Sequence, residues 1–392
     1  MMITLEEATA VIKYHQWRTA TETIPLNSAY FRLLAEDIVA DRNLPPFDKA
    51  AMDGFACKRE DLGNHLVINE SLPAGSIPQY TIKPGTCTGI MTGAKVPEGA
   101  NCVIKQEETT ILENRTVVYH GKASENNICY TGEDIRVGDV MLKRGSLLHP
   151  QHMGIIASAG KKEIKVFSRC NVGVISTGSE LVDPGDFQGE TSIMNSNASQ
   201  LKGQIESTGH HAIYYGIVRD DAKQIIDRVE EALNHCEVVV LTGGASVGAY
   251  DLVNDAVEAL GFSVKFQKLA IQPGKPVSFA SKDDKICFGL SGNPVSCFLQ
   301  FELLVKPFLY RISGSDYRPP ILKTRLAAEF RREKVERIYF LPVKMTEDGY
   351  VTPLDYHSSA HLTGLTNLDG FVEIPLGVDC IKNGEEVYVR FL

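Results

Sequence analysis

From about residue 170 to 313 the chain repeats one rhythm: a short apolar run, a polar or glycine-rich loop, then an amphipathic stretch. "NVGVIS", "AIYYGIV", "EVVVLT", "SVKFQKL" and "ICFGL" read as strands. "NASQLKGQIESTG", "DDAKQIIDRVEEALNHC", "DLVNDAVEAL" and "PVSCFLQFELLVKPFLYRI" read as helices. Each crossover between parallel strands lays a helix on a sheet face, so this alternation predicts a doubly wound, mostly parallel α/β domain.

The flanks read differently. Thr4 and Glu7 have capping-box spacing for a first helix. "YFRLLAEDIVA" is helical or part-extended, and Pro45 and Pro46 then break the pattern. Between 64 and 140, β-prone runs alternate with Gly and Pro turns, and "LENRTVV" suggests a hairpin. "GDVMLKRGSLLHP" continues extended, and "PQHMGIIASAG" returns to helix. After "RPP" at 318–320 only β-prone runs follow, which suggests a small terminal β-barrel. A length of 392 residues implies about two to four domains. The expected organisation is an elongated linker region at 1–45 and 140–169, a β-rich domain at 46–139, the α/β domain at 170–318 and the β-barrel at 319–392.

Forty basic against 49 acidic residues give a net charge of −9, which argues against a dedicated nucleic-acid or membrane-surface binder. No apolar run is long enough to span a bilayer. The N-terminus lacks a basic region followed by an apolar block, so a cytoplasmic location is expected. The nine cysteines are scattered, odd in number and without CxxC, which predicts reduced thiols, with Cys236, Cys287 and Cys297 as core fillers.

In an open parallel sheet, ligands bind beyond the carboxyl ends of the strands. The segments leaving those ends are "STGSE" with Ser176, Thr177 and Glu180, then "RDD", "GGASVGAYD" and "SGNP". Gly243, Gly244 and Gly248, interleaved with small residues such as Ser246, allow backbone N–H groups to approach a phosphate. Glu180, Asp220 and Asp251 on the same edge would repel that phosphate unless a hard cation lay between, which points to Mg²⁺. The competing reading is helix capping for Asp220, Asp221 and Asp251. Lys268 and Lys275 flank a Pro-Gly turn and suit an oxyanion, whereas Lys265 and Lys282 read as solvated edge lysines. The histidine pairs lack cysteine co-ligands, and there is no Walker loop, nucleophile elbow or dinucleotide fingerprint.

"PPFDKAAMDGFA" and "GIMTGAKVPEGANCVIKQEET" resemble two signature segments of the molybdopterin molybdotransferases, the MoeA and gephyrin E-domain family. "TGEDI", "STGSELV", "MNSN", "VRDD", "GGASVGAYD", "KLAIQPGKPVSF" and "GLSGNPVSCFL" follow in that family's order. The resemblance covers nearly the whole chain. It implies insertion of molybdate into adenylylated molybdopterin, giving molybdenum cofactor and AMP with Mg²⁺ assisting. Carried over by position, Asp53, Thr92, Glu180 and Asp251 match residues of catalysis or ligand binding. Asp134, Lys268, Lys275 and Pro294 match other site residues, and Glu180, Asp220 and Asp251 match the acidic cluster. It further implies a homodimer whose cleft takes residues from both protomers. A molybdopterin adenylyltransferase and molybdoenzyme acceptors are the partners it suggests. The alternative in a different class is a non-catalytic molybdopterin-binding or scaffold dimer. The chain departs from the pattern at Gln272 (usually lysine), Ser291 (usually proline) and Cys129 (near a usual arginine). Two of these changes remove positive charge, so weak molybdate binding is expected.

Overall fold

The computed structural model describes residues 2–15, 17, 20–121, 125–186, 189–243, 247–356 and 358–392, with the backbone only for 247–251. The chain divides into two compact units, residues 36–144 with 150–162, and residues 1–35, 145–149 and 163–392.

The larger unit is built on a six-stranded sheet. Its order is His211–Val218, Asn171–Thr177, Val238–Gly243, Lys285–Leu290, Pro276–Lys282, Ser263–Lys268. The first four strands are mutually parallel and the last two antiparallel. Alternate side chains feed opposite faces, as the pleat requires. Val172, Val174, Val238, Val240 and Phe288 meet the helices Ser196–Ser207, Pro294–Gln300 and Lys306–Ile312 in one core. Ile175, Val239, Leu241 and Cys287 meet Ala222–Leu233 and Val247–Ala259 in the other. The mostly parallel, doubly wound fold read from the sequence is the fold observed. The antiparallel edge is the difference. Only Asp283 and Asp284 separate Lys282 from its partner Lys285, and so short a link joins only antiparallel strands. The strand Pro276–Lys282 is not among the five runs read as strands from the sequence.

One helix start settles an open choice, and another differs from expectation. Asp221, not Asp220, caps Ala222–Leu233 by accepting from the Gln224 N–H at 2.9 Å. The next helix begins at Val247, so Asp251 is a helical residue and not its cap. Gly248 is therefore helical too. The capping box at Thr4 and Glu7 is present on Leu5–Tyr14.

The C-terminal region is β-rich, with the strand order Ile271–Gln272, Ile338–Met345, Gly370–Ile374, Glu386–Phe391, Ile321–Arg325. Its Phe340 and Phe371 enter the same core as Ala8 and Ile12 of the first helix. That shared core is why both chain ends belong to the α/β unit rather than standing apart from it. "YFRLLAEDIVA" is extended, because Leu34 and Ala35 donate to the carbonyls of Ser146 and Lys165.

The smaller unit carries a second six-stranded sheet, ordered Cys102–Lys105, Gly54–Cys57, Thr86–Ile90, Leu66–Leu72, Thr116–Tyr119, Thr109–Leu112. "LENRTVV" forms the hairpin it suggested, with Leu112 opposite Thr116. Cys236, Cys287 and Cys297 are buried free thiols, and burial pushes Cys297 up to about 12. No described helix is long and apolar enough to cross a membrane.

Phe279 is fully buried and its ring contacts Phe266, Phe288 and Phe308 at centroid distances of 5.9, 5.1 and 6.3 Å. Phe279→Ala should cost about 3–5 kcal/mol in a denaturant titration, through lost burial and the cavity left behind. A loss below about 1 kcal/mol would show that the surrounding rings collapse to fill the space.

Candidate functional site

The carboxyl ends of the parallel strands open on a cleft of about 460 Å³. Thr177, Glu180, Asn195, Asn197, Thr242, Gly243, Asn293 and Pro294 line it. Gly243 has φ +146°, and a Cβ there would lie 2.0 Å from the Thr177 carbonyl oxygen. Only glycine lets these two strand ends approach so closely. Asn195 caps Ser196–Ser207; its Oδ1 accepts from the Ser176 hydroxyl and the Ala198 N–H. Its Nδ2 donates to the Tyr214 hydroxyl at 2.8 Å, and Tyr214 donates to Asp183 at 2.7 Å. Burial, then the Asp183 bond, raises the Tyr214 phenol, so it remains a neutral donor.

Asn197 Nδ2 donates to Thr242 Oγ1 at 2.8 Å and to the Gly292 carbonyl at 2.9 Å. A carbonyl can only accept, which fixes the amide orientation. Asn197 Oδ1 and Thr177 Oγ1 are buried without a partner among the described residues. A ligand donor at the cleft floor would satisfy them.

The acidic edge is partly assembled. Asp220 accepts from the Ser179 N–H at 3.3 Å. The Glu180 carboxylate lies over Gly178, where a Cβ would meet it at 2.9 Å. Two exposed carboxylates thus bracket the Gly178–Ser179 turn. Neither has an ion-pair partner among the described residues. No three described His, Cys, Asp or Glu side chains converge as a metal site. The Asp251 side chain, Gly244 and Ser246 lie outside the described residues.

A second pocket of about 390 Å³ adjoins the cleft, and Asn293 lines both. Gln272, Lys275, Ser291, Ser296, Arg337 and Ser359 are among its walls. Arg337 donates to the Ile271 carbonyl at 3.1 Å and contacts Gln272 Oε1 at 3.5 Å. Asn293 Nδ2 donates to Ser359 Oγ at 2.8 Å, which fixes the dividing wall. The pocket therefore offers an ammonium, a guanidinium, an amide and hydroxyls, a donor set suited to an oxyanion.

In the smaller unit Asp53 Oδ1 accepts from the Thr92 N–H at 2.6 Å and hydroxyl at 2.7 Å. These bonds, the backbone one first, hold the Asp53 carboxyl below the usual carboxylate range. Asp48 grips Thr131 in the same way, with both distances 2.7 Å. Asp134 follows that turn, exposed, its N–H donating to the Leu44 carbonyl.

Not every expected residue reaches a pocket. Ser176 is buried and directs its hydroxyl to Asn195, so it lies behind the cleft. Lys268 sits opposite Pro276 at the end of its strand and lines neither pocket. Conversely, sequence reasoning passed over Arg337 and Ser359. Neither lies in a glycine-rich segment, and only the C-terminal fold carries them to the pocket. Asn195 and Asn197 were visible in "MNSN", where an N-cap before an amphipathic stretch is a readable signal.

The capping assignment is testable. Asp221→Ala should destabilise the protein by about 1 kcal/mol, as lost N-caps do. Asp220→Asn should leave unfolding unchanged, because its carboxylate caps no helix. Equal losses in thermal unfolding would contradict the separation of these neighbours.

The sequence matches three family profiles in order. These are the MoeA N-terminal region (domain I and II) at 3–160, a probable molybdopterin binding domain at 173–311, and the MoeA C-terminal region (domain IV) at 323–392. It is 33% identical to a molybdopterin molybdenumtransferase of Staphylococcus aureus strain Mu50, over 98% of this chain and 94% of that protein. It is 30% identical to the molybdopterin molybdenumtransferase of Bacillus subtilis strain 168, over 100% and 94%. A crystal structure of the molybdopterin biosynthesis MoeA protein from Pyrococcus horikoshii OT3 superposes with a TM-score of 0.85 at 30% identity, covering 100% of both chains. Full-length likeness of this kind, with three family regions in order, leads to one conclusion: the chain belongs to the MoeA family of molybdopterin molybdenumtransferases.

Proposed function

We propose that this chain inserts molybdate into adenylylated molybdopterin, giving molybdenum cofactor and AMP. The observation that carries the reading is the pair of adjoining pockets that share Asn293. One has bare backbone and carboxylates for a phosphorylated ligand; the other has fixed cations for an oxyanion. Thr177, Asn195, Asn197 and Gly243 orient the organic substrate, with Pro294 at its edge. Lys275, Arg337, Gln272 and Ser291 neutralise and hold molybdate beside it. Bringing the two reactants to fixed positions replaces an encounter in solution by a step within one complex.

Mg²⁺ suits the exposed, unpaired carboxylates of Glu180 and Asp220, with Asp251 as a further oxygen donor, and would offset the charge of the phosphoanhydride. Gly244, Ser246 and Gly248 are included as proposed contacts of the phosphorylated ligand, and Lys268 as a source of long-range positive charge. Asp53, Thr92 and Asp134 are proposed to complete the cleft of the partner protomer in a homodimer. The Asp53–Thr92 bonds support this, since they hold an ionised carboxylate and a hydroxyl in fixed places. A molybdopterin adenylyltransferase upstream and molybdoenzymes downstream are the proposed partners.

Arg337 changes what Gln272 means. The charge absent at 272 is supplied by the guanidinium 3.5 Å away. Arg337→Ala should raise the molybdate concentration for half-maximal turnover about tenfold, and Lys275→Ala similarly, with less effect on the maximal rate. Gln272→Lys should be near silent in the wild type, yet recover part of the loss in Arg337→Ala. Superimposed molybdate titrations of wild type and Arg337→Ala, followed by AMP release, would sink this assignment.

The dimer reading has its own test. Asp53→Ala and Glu180→Ala chains, each inactive alone, should regain turnover when mixed under subunit exchange. No recovery after exchange is verified by mass would count against a shared cleft.

A further inference from the structure

Gln300 ends the Pro294–Gln300 helix and is completely buried. Its amide has three backbone partners. Oε1 accepts from the Ser291 N–H at 2.8 Å. Nε2 donates to the carbonyls of Gly274 at 2.8 Å and Pro276 at 2.6 Å. The chemistry fixes this orientation, because carbonyls only accept and an N–H only donates. Gly274 and Pro276 flank Lys275, while Ser291 belongs to the loop after the Lys285–Leu290 strand. One side chain therefore joins two loops that line the cationic pocket, without lining it itself. The fit is tight on the glycine side: Gly274 has φ +103°, and a Cβ there would lie 3.1 Å from Gln300 Nε2.

The Ser291 bond needs a residue that carries a backbone N–H. Proline at position 291 would have no N–H to donate. Here Ser291 supplies the donor, and Gln300 Oε1 is satisfied by it.

We propose that Gln300 is the positioning residue of the oxyanion pocket, clamping the Lys275 loop against the Ser291 loop; this rests on reading that pocket as the molybdate site. Its role is geometric. Without the amide, two buried carbonyls and one N–H lose their partners, and the loops separate to reach water. A cation displaced by a fraction of an ångström to an ångström holds its anion less well, although no group that touches the anion has changed.

Gln300→Glu tests this in the full-length protein. A neutral carboxyl keeps the Ser291 bond and donates to one carbonyl. An ionised one sets negative oxygen against the carbonyls of Gly274 and Pro276. The molybdate concentration for half-maximal turnover should lie closest to wild type at low pH and rise to about tenfold above wild type as the glutamate ionises. Half-saturation by adenylylated molybdopterin should stay within about twofold. Calorimetry with molybdate alone should show the same rise, independent of turnover. A merely structural residue would lower thermal stability or the active fraction, without a pH-dependent shift confined to molybdate. If Gln300→Glu does not fold, Gln300→Met keeps the side-chain length but removes all three bonds, and should raise the molybdate requirement while every residue lining the pocket is unchanged. Active wild type whose variants give superimposed molybdate titrations overturns the proposal alone. Wild type that neither binds molybdate nor turns over overturns the reading of the pocket, and the proposal with it.

Discussion

Three parallel pairings, of Asn171–Thr177 with His211–Val218 and Val238–Gly243, and of the latter with Lys285–Leu290, govern the larger unit. Parallel strands all end on one side, so four loops far apart in sequence must open together. The loop bearing Glu180, the loop bearing Asp220, the strand end at Gly243 and the loop at Ser291 meet for that reason alone. Burial of Val172, Val240 and Phe288 on one face and Ile175, Leu241 and Cys287 on the other fixes the register. A slip of one residue would turn those side chains the wrong way.

Within this frame the wall between the two pockets is held by polar groups that few side chains could replace. Thr242 donates to the Ser291 carbonyl, Asn197 to the Gly292 carbonyl, and Gln300 accepts from the Ser291 N–H. The loop carries no regular secondary structure of its own, so its backbone groups must find partners elsewhere. Buried Thr, Asn and Gln supply them. The same residues that keep the loop folded keep the two pockets at a constant separation.

Much of this was legible because it follows local rules. Apolar runs of strand length, amphipathic stretches and capping residues identify the sheet and its helices, and strand ends point to the edge where Glu180 and Gly243 stand. Other features depend on distant contacts. Nothing near Asp220 and Asp221 says which one caps; the geometry of the preceding turn decides it. The strand at Pro276–Lys282 is obscured by its opening Gly-Lys-Pro. Arg337 reaches the second pocket only because Ile271–Gln272 pairs with Ile338–Met345, a contact between segments more than sixty residues apart. Ser176 reads as a ligand residue from its place after a strand, yet Asn195 claims its hydroxyl from the interior.

The segment "FDKAAMDGFA" carries two aspartates that each grip a Thr-Gly turn, Asp48 at Thr131 and Asp53 at Thr92. Both anchors belong to one short stretch of backbone, so the two turns take their positions from it and not from the chain that connects them. That connecting chain includes the Thr109–Leu112 and Thr116–Tyr119 hairpin at the sheet margin. Its length is thereby freed from the geometry of the turns. Insertions or shortened hairpins there can accumulate without dislodging either turn, which makes this margin a place where related chains can diverge in size while the gripped residues stay put.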